Sequence, residues 1–151
     1  MRRKVNRIDP LKFWEVWTKL LEETREGAAI VVEGKHDYIV LRELFVEGKI
    51  YTCSERSASL IADLITSEGV KKVIILTDFD KMGEKKAWEL AFFLKNAGIK
   101  VLEGLREEIK KVLGRISCIE DLRFYTEQLL EKAPLNLYLK SERGLVLMGY
   151  Q

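Results

Sequence analysis

Asp78 and Asp80 stand one residue apart in the stretch VIILTDFDKMG, directly after an apolar run that ends at Leu76. Along an extended backbone successive side chains alternate sides. The two carboxylates then face one way, about 6.6 Å apart along the strand, and Phe79 faces the other. Unpaired acids so placed repel and raise each other's pKa, and a cation between them removes that cost. Oxygen donors without a nearby histidine or cysteine select a hard divalent ion, Mg²⁺ or Mn²⁺, over zinc. A second stretch, VVEGKHD, sets Glu33 after another apolar run. If the two runs are neighbouring strands, Glu33 joins the same site. Carboxylate-held magnesium suits phosphodiester cleavage, which needs an activated water or hydroxyl, charge stabilisation at phosphorus and help for the leaving group. Glu33 is the residue to move the proton. Gly34 and Gly83 let backbone approach metal or phosphate without a Cβ in the way, and Lys35 and Lys81 are placed to pair with phosphate oxygens.

Each of these residues has a plainer role open to it. Glu33 alone is a solvated acid at a strand end, and only its pairing with the second stretch favours chemistry. Asp78 and Asp80 suit a turn or a helix cap, where aspartate is common. Lys35 and Lys81 can be solvated charges, His36 a surface residue at a helix start, and Ser54, Ser57 and Ser59 helix-capping hydroxyls. Trp14, Trp17 and Trp88 lie at helical spacing and are expected in the core.

The elements that must position these side chains are legible in the apolar pattern. From Pro10 to Arg25, Phe13, Val16, Trp17, Leu20 and Leu21 recur at three- and four-residue steps, with Asp9 as N-cap and Pro10 at the first helical position. Ala28 to Val32 is a short, unbroken apolar run, read as a buried strand. The alternation continues with a helix over Asp37 to Phe45, a strand over Ile50 to Cys53, a helix over Ala58 to Ile65, a strand over Val73 to Leu76, a helix over Glu84 to Lys95 and a strand over Ile99 to Leu102. The pattern predicts a three-layered α/β fold, a parallel sheet of about four strands with helices on both faces. Ligands collect at the carboxyl edge of such a sheet. Beyond Gly104 the pattern turns helical, over Leu105 to Leu113 and Ile119 to Glu131. The tail from Leu135 is mixed, with a turn around Ser141 to Gly144 and an edge strand available at Leu145 to Met148.

Composition narrows the classes further. With 151 residues, 47% hydrophobic and 33% charged, the chain has room for one domain with a proper core. No apolar run approaches the roughly 20 residues of a membrane span, and the basic start lacks a secretory signal, so no membrane association and a cytoplasmic location are expected. Cys53 and Cys118 lie far apart, and His36 is the single histidine, which leaves little for zinc or cysteine-histidine chemistry. A net charge of +2 permits nucleic acid without requiring it. The arm bearing Arg2, Arg3, Lys4 and Arg7 could touch a phosphate backbone. A phosphoaspartyl phosphatase would carry its acid pair after the first strand, and an ATPase would need a GxxxxGK[ST] loop that is absent here.

VVEGKHD and TDFDKMGE, in that order at the ends of the first and third strands, resemble the two signature motifs of the Toprim domain. Type IA topoisomerases, bacterial-type primases, overcoming-lysogenisation-defect nucleases and the ribonucleases that mature 5S ribosomal RNA share this domain. The resemblance covers Gly27 to Arg106. EGKHD is similar to the maturases' first motif, and EEIKKVLGRISCIEDL resembles the helical segment after the core in small archaeal Toprim proteins. The resemblance implies two Mg²⁺ ions per chain, with Mn²⁺ a substitute, Glu33 as general acid or base and metal ligand, and Asp78 and Asp80 as metal ligands. Glu84 corresponds either to a further acid of related motifs or to an ordinary residue of a helix start.

The sequence is therefore read as a basic arm and N-terminal helix over 1–26, a Toprim domain over 27–106 and a helical extension and tail over 107–151, forming one compact unit. A topoisomerase needs a nucleophilic tyrosine from another large domain, and a primase needs a template-binding apparatus. The reading left is a small nuclease acting on structured RNA or DNA, with RNA preferred by analogy with the maturases. Its rival is a non-catalytic nucleic-acid or ribosome-assembly binding module that keeps the metal for docking phosphate. Replacing both aspartates, Asp78→Asn with Asp80→Asn, is predicted to abolish Mg²⁺ binding by calorimetry and leave the fold intact; unchanged affinity would remove the site.

Overall fold

The computed structural model describes residues 8–140. The basic arm, the turn at Ser141 to Gly144 and the edge strand at Leu145 to Met148 lie outside the described residues. Helix α1, Pro10–Arg25, starts where the Asp9 carboxylate accepts from the Leu11 and Lys12 amides, with Pro10 in its first turn. Its buried stripe is the one the spacing predicts. The Phe13 ring stacks on Trp17 at 5.0 Å, and the indole N–H groups of Trp14 and Trp17 donate to the carbonyls of Leu129 and Leu44. Both indoles thus enter the core with their polar atom satisfied. At the helix end Gly27 takes a φ of +103°, which turns the chain into the sheet.

Four parallel strands come next: β1 Ala29–Val32, β2 Ile50–Thr52, β3 Lys72–Leu76 and β4 Lys100–Val101. Their order is β2-β1-β3-β4, so the first and third strands are neighbours, with Val32 opposite Leu76. Interleaved with them are α2 Lys35–Glu43, α3 Ala58–Ser67 and α4 Lys81–Asn96, and α5 Glu103–Leu113 comes after β4. Alternate residues of each strand serve opposite faces. Ile30, Val32, Ile74 and Leu76 pack with α1, α2 and α5, whereas Ala29, Val31, Val73 and Ile75 pack with α3 and α4. This is the three-layered α/β sandwich that the alternation predicts. The first of these cores also takes in Ile119, Leu122, Leu129 and Leu137, so the N-terminal helix and the C-terminal extension close over the same sheet face. Among the described residues no helix is long and apolar enough to cross a membrane.

Several boundaries differ from the predicted ones. α2 begins at Lys35 instead of Asp37 and α4 at Lys81 instead of Glu84, because Gly34 and Asp80 are the N-caps. The helix predicted over Ile119 to Glu131 is a 3₁₀ turn, Ile119–Phe124, followed by α6, Thr126–Glu131; the turn buries Ile119 and Leu122 three residues apart, the repeat of the tighter helix. Beyond Pro134 comes a short helix, α7, Leu135–Lys140. Trp88 is not in the core. It is 70% exposed on α4, because the buried side of that helix is taken by Gly83, Ala87, Leu90, Ala91 and Leu94. Trp17→Ala should therefore lower unfolding free energy in urea by about 3–5 kcal/mol, and Trp88→Ala by about 0.5 kcal/mol or less; similar losses at both sites would contradict this division.

Candidate metal centre

Because β1 and β3 pair with Val32 opposite Leu76, the next residues of each, Glu33 and Thr77-Asp78, leave the sheet side by side at its carboxyl edge. Each is fixed by backbone bonds. The Glu33 carbonyl accepts from the Ser54 amide at 2.9 Å, which ties the first motif to the loop after β2. Asp37 is buried and bridges two segments: one oxygen accepts from the Gly34 amide at 3.0 Å and the other from the Glu120 amide at 2.7 Å. The first motif is thereby joined to the 3₁₀ turn of the C-terminal extension.

The second motif is held in a different way. Asp80 caps α4, its Oδ1 accepting from the Gly83 amide at 2.8 Å. The Thr77 hydroxyl donates to the Gly83 carbonyl at 2.8 Å. A Cβ on Gly83 would lie 1.9 Å from the Asp78 carbonyl oxygen. The close approach that Gly83 permits on its Cβ side is therefore to the motif's own backbone. Phe79 donates its amide to the Ser117 carbonyl at 2.7 Å. Arg106, buried on α5, donates to the carbonyls of Ile75 at 2.9 Å, Thr77 at 3.0 Å and Asp78 at 3.1 Å, and to the Glu84 carboxylate at 2.7 Å. Its guanidinium also lies 4.6 Å from the centre of the Phe79 ring.

The charges that shift the Asp78 carboxyl are of its own sign. Burial, together with the carboxylates of Glu33, Asp37, Asp80 and Glu120, pushes the Asp78 pKa up to about 6. Beneath the site Cys53 is pushed up to about 11, chiefly by burial and next by Glu33, with Lys86 opposing. Lys86 itself donates to the carbonyls of Cys53 and Arg56, at 2.9 Å and 3.3 Å. Cys118 is raised to about 12 by burial, so both cysteines stay as inert thiols. Oxygen donors crowded to mutual repulsion suit a hard divalent ion. The fit is partial, however: among the described residues no group of three His, Cys, Asp or Glu is gathered closely enough to hold a metal. Asp80 gives one oxygen to its cap, and Oδ2 takes no part in that bond.

Of the residues singled out in the sequence, Glu33 and Asp78 are set within electrostatic reach of each other and Asp80 stands at the start of α4. Lys35 and Lys81 are exposed in the first turns of α2 and α4, and His36 is exposed beside Lys35. Gly34 is half-buried, with the Ser54 hydroxyl 4.0 Å from where a Cβ would be. Glu84 is engaged by Arg106 and, at 3.8 Å, by Lys110. Ser57 caps α3. Sequence reasoning assigned no role to Asp37, Arg106 or Glu120. A signal for Arg106 does exist, since it falls in the apolar register of α5 with Leu102, Ile109 and Leu113, where a charged residue must have a buried partner.

A family model described as "Toprim domain" matches residues 28–113. Among curated relatives, a UPF0292 protein of Methanosarcina acetivorans is 30% identical over 87% of this chain and 88% of its own length. A UPF0292 protein of Pyrococcus abyssi is 38% identical over 72% of this chain and 83% of its own. Among solved structures, a protein from Aquifex aeolicus superposes with a TM-score of 0.60 at 29% identity, covering 71% of this chain and 95% of that one.

The field around Asp78 makes stability depend on pH. A carboxyl whose folded pKa lies above its ordinary 3.8 binds its proton more tightly in the folded state, so its ionisation opposes folding as pH rises from about 4 and does so fully above about 6. In EDTA at pH 8, Asp78→Asn should melt above the parent, and the gap should close as pH falls below 4. An Asn variant that melts lower at pH 8, or a gap that persists at pH 3.5, would contradict the assigned field.

Proposed function

The chain belongs to the Toprim-domain family, and on that premise we propose that it is a Mg²⁺-dependent nuclease cleaving phosphodiester bonds in structured RNA or DNA, RNA foremost. Toprim domains typically bind divalent metal, and two Mg²⁺ ions per chain, replaceable by Mn²⁺, are the proposed complement. The observation that carries this reading is the emergence of Glu33 and Asp78 from adjacent strands into a field of carboxylates strong enough to raise Asp78 to about 6. A bound Mg²⁺ supplies Lewis acidity toward the phosphodiester.

The chain's own residues divide the remaining work. Asp78 and Asp80 serve as metal ligands. Glu33, half-buried and still open to solvent, serves as ligand and as the acid or base that moves the proton. Lys35 and Lys81 lie in the first turns of α2 and α4, whose N-terminal ends open on the same edge. They set positive charge where a substrate phosphate would enter.

A second reading rests on the engagement of one Asp80 oxygen by its cap, which leaves that carboxylate fewer oxygens for a second ion. In it the protein is a non-catalytic binding module that docks phosphate through metal. Labelled RNA and DNA incubated with Mg²⁺ separate the two. As a nuclease the parent cuts, and Glu33→Gln cuts about 100-fold more slowly or worse with binding retained. If both proteins bind and neither cuts across a broad substrate panel, the binding module is the correct reading.

A further inference from the structure

We propose that the outer face of α4 is a stacking platform for single-stranded nucleic acid, leading away from the metal centre. The proposal rests on the nucleic-acid reading of the site and adds the class of strand that the protein holds. Lys81, Lys85, Trp88, Phe92 and Lys95 recur at steps of four, three, four and three, which places them on one stripe of the helix. The stripe starts next to Asp80, the N-cap of α4 and a candidate metal ligand. From Lys81 to Phe92 it runs about 16 Å along the axis.

Packing does not account for these aromatic side chains. The opposite side of α4 meets the sheet, whereas Trp88 is 70% and Phe92 50% exposed. Their rings lie nearly parallel, with centres 6.0 Å apart and planes 18° apart, and Phe93 stands edge-on to Phe92 at 5.4 Å. Grouped aromatic surface left in water marks a contact surface. Its chemistry is set by the lysines. Among the described residues no ion pair uses Lys81 or Lys85, whereas Lys95, at the far end of the stripe, pairs with Glu103, so the first two supply the free positive charge. Of the acids at the metal end, Glu84 is held by Arg106 and Asp80 accepts from the Gly83 amide. Phosphates on the lysines and bases on the rings is the pairing by which single strands are held without sequence preference. A duplex keeps its base faces stacked on one another and has none to offer. A basic peptide would meet like charge, and a two-fold copy of the chain would oppose the lysine stripe to itself.

The test uses the full chain in EDTA with labelled oligo-U and oligo-dT, and a duplex control. Trp14 and Trp17 are buried with their N–H groups bonded, so quenching of indole fluorescence reports on Trp88. The parent should bind the single strands with quenching. Trp88→Ala should weaken that binding about tenfold or more, Trp88→Phe should restore most of it, and duplex affinity should change less than about twofold. Single-strand affinity unchanged in Trp88→Ala overturns the platform, as does a parent that binds no single strand. So does sedimentation showing a dimer that Trp88→Ala splits while strand binding stays the same. Cleavage of structured RNA and DNA, assayed separately with Mg²⁺ in place of EDTA, separates the two readings. Trp88-dependent binding without cutting removes the nuclease and keeps the platform; cutting with Trp88-independent binding does the reverse.

Discussion

The buried guanidinium of Arg106 is the constraint on which the second motif depends. It reaches from α5 across the end of β3 and donates to three carbonyls of that segment, at Ile75, Thr77 and Asp78, while Glu84 neutralises it from the start of α4. Hydrogen bonds from a charged donor contribute about 1.5–3 kcal/mol each. The planar fork can hold several carbonyls at once, which a lysine ammonium cannot match in geometry. Past Leu76 the chain has left the sheet, and these bonds replace the ladder that would otherwise fix its path. Asp78 thereby keeps a place where burial and like charge oppose its ionisation.

The rest of the centre is set by that placement. With the Asp78 backbone fixed, α4 must start directly over it, and only a residue without a Cβ fits at position 83. Asp80 then caps the helix and is carried to the same edge. On the other strand the Asp37 carboxylate does for the first motif what Arg106 does for the second, joining Gly34 to the turn at Glu120. Both pins reach into residues that come after β4. The C-terminal extension is thus part of the site's framework, and Glu120 adds its charge to the field on Asp78.

The fold was legible because its signals are local. Apolar runs too short for helices, amphipathic stretches between them and an Asp-Pro start are each contained in a few residues, and they led to the sheet and its helices; whether Glu33 meets Asp78 depended on β1 and β3 being neighbours, which the strand order supplies. What escaped was set by partners distant in sequence. Trp88 matches the spacing of a core residue, but the neighbouring stripe of Ala87, Leu90, Ala91 and Leu94 is the one that packs. At Gly83 the backbone that a Cβ would meet is that of Asp78, a contact that spacing along the chain does not reveal. Asp37 and Arg106 have partners 83 and up to 31 residues away, so no window along the chain contains both halves of either pin.

Like-charged acids held together at the strand ends are, on this reading, a receptacle for a divalent ion. An anomalous difference map from crystals grown with Mn²⁺ tests this most directly. A peak is expected between the carboxylates of Glu33 and Asp78, with the Arg106 bonds to Ile75, Thr77 and Asp78 in place. A map with no peak at that edge, or with Mn²⁺ bound only elsewhere on the protein, would contradict it.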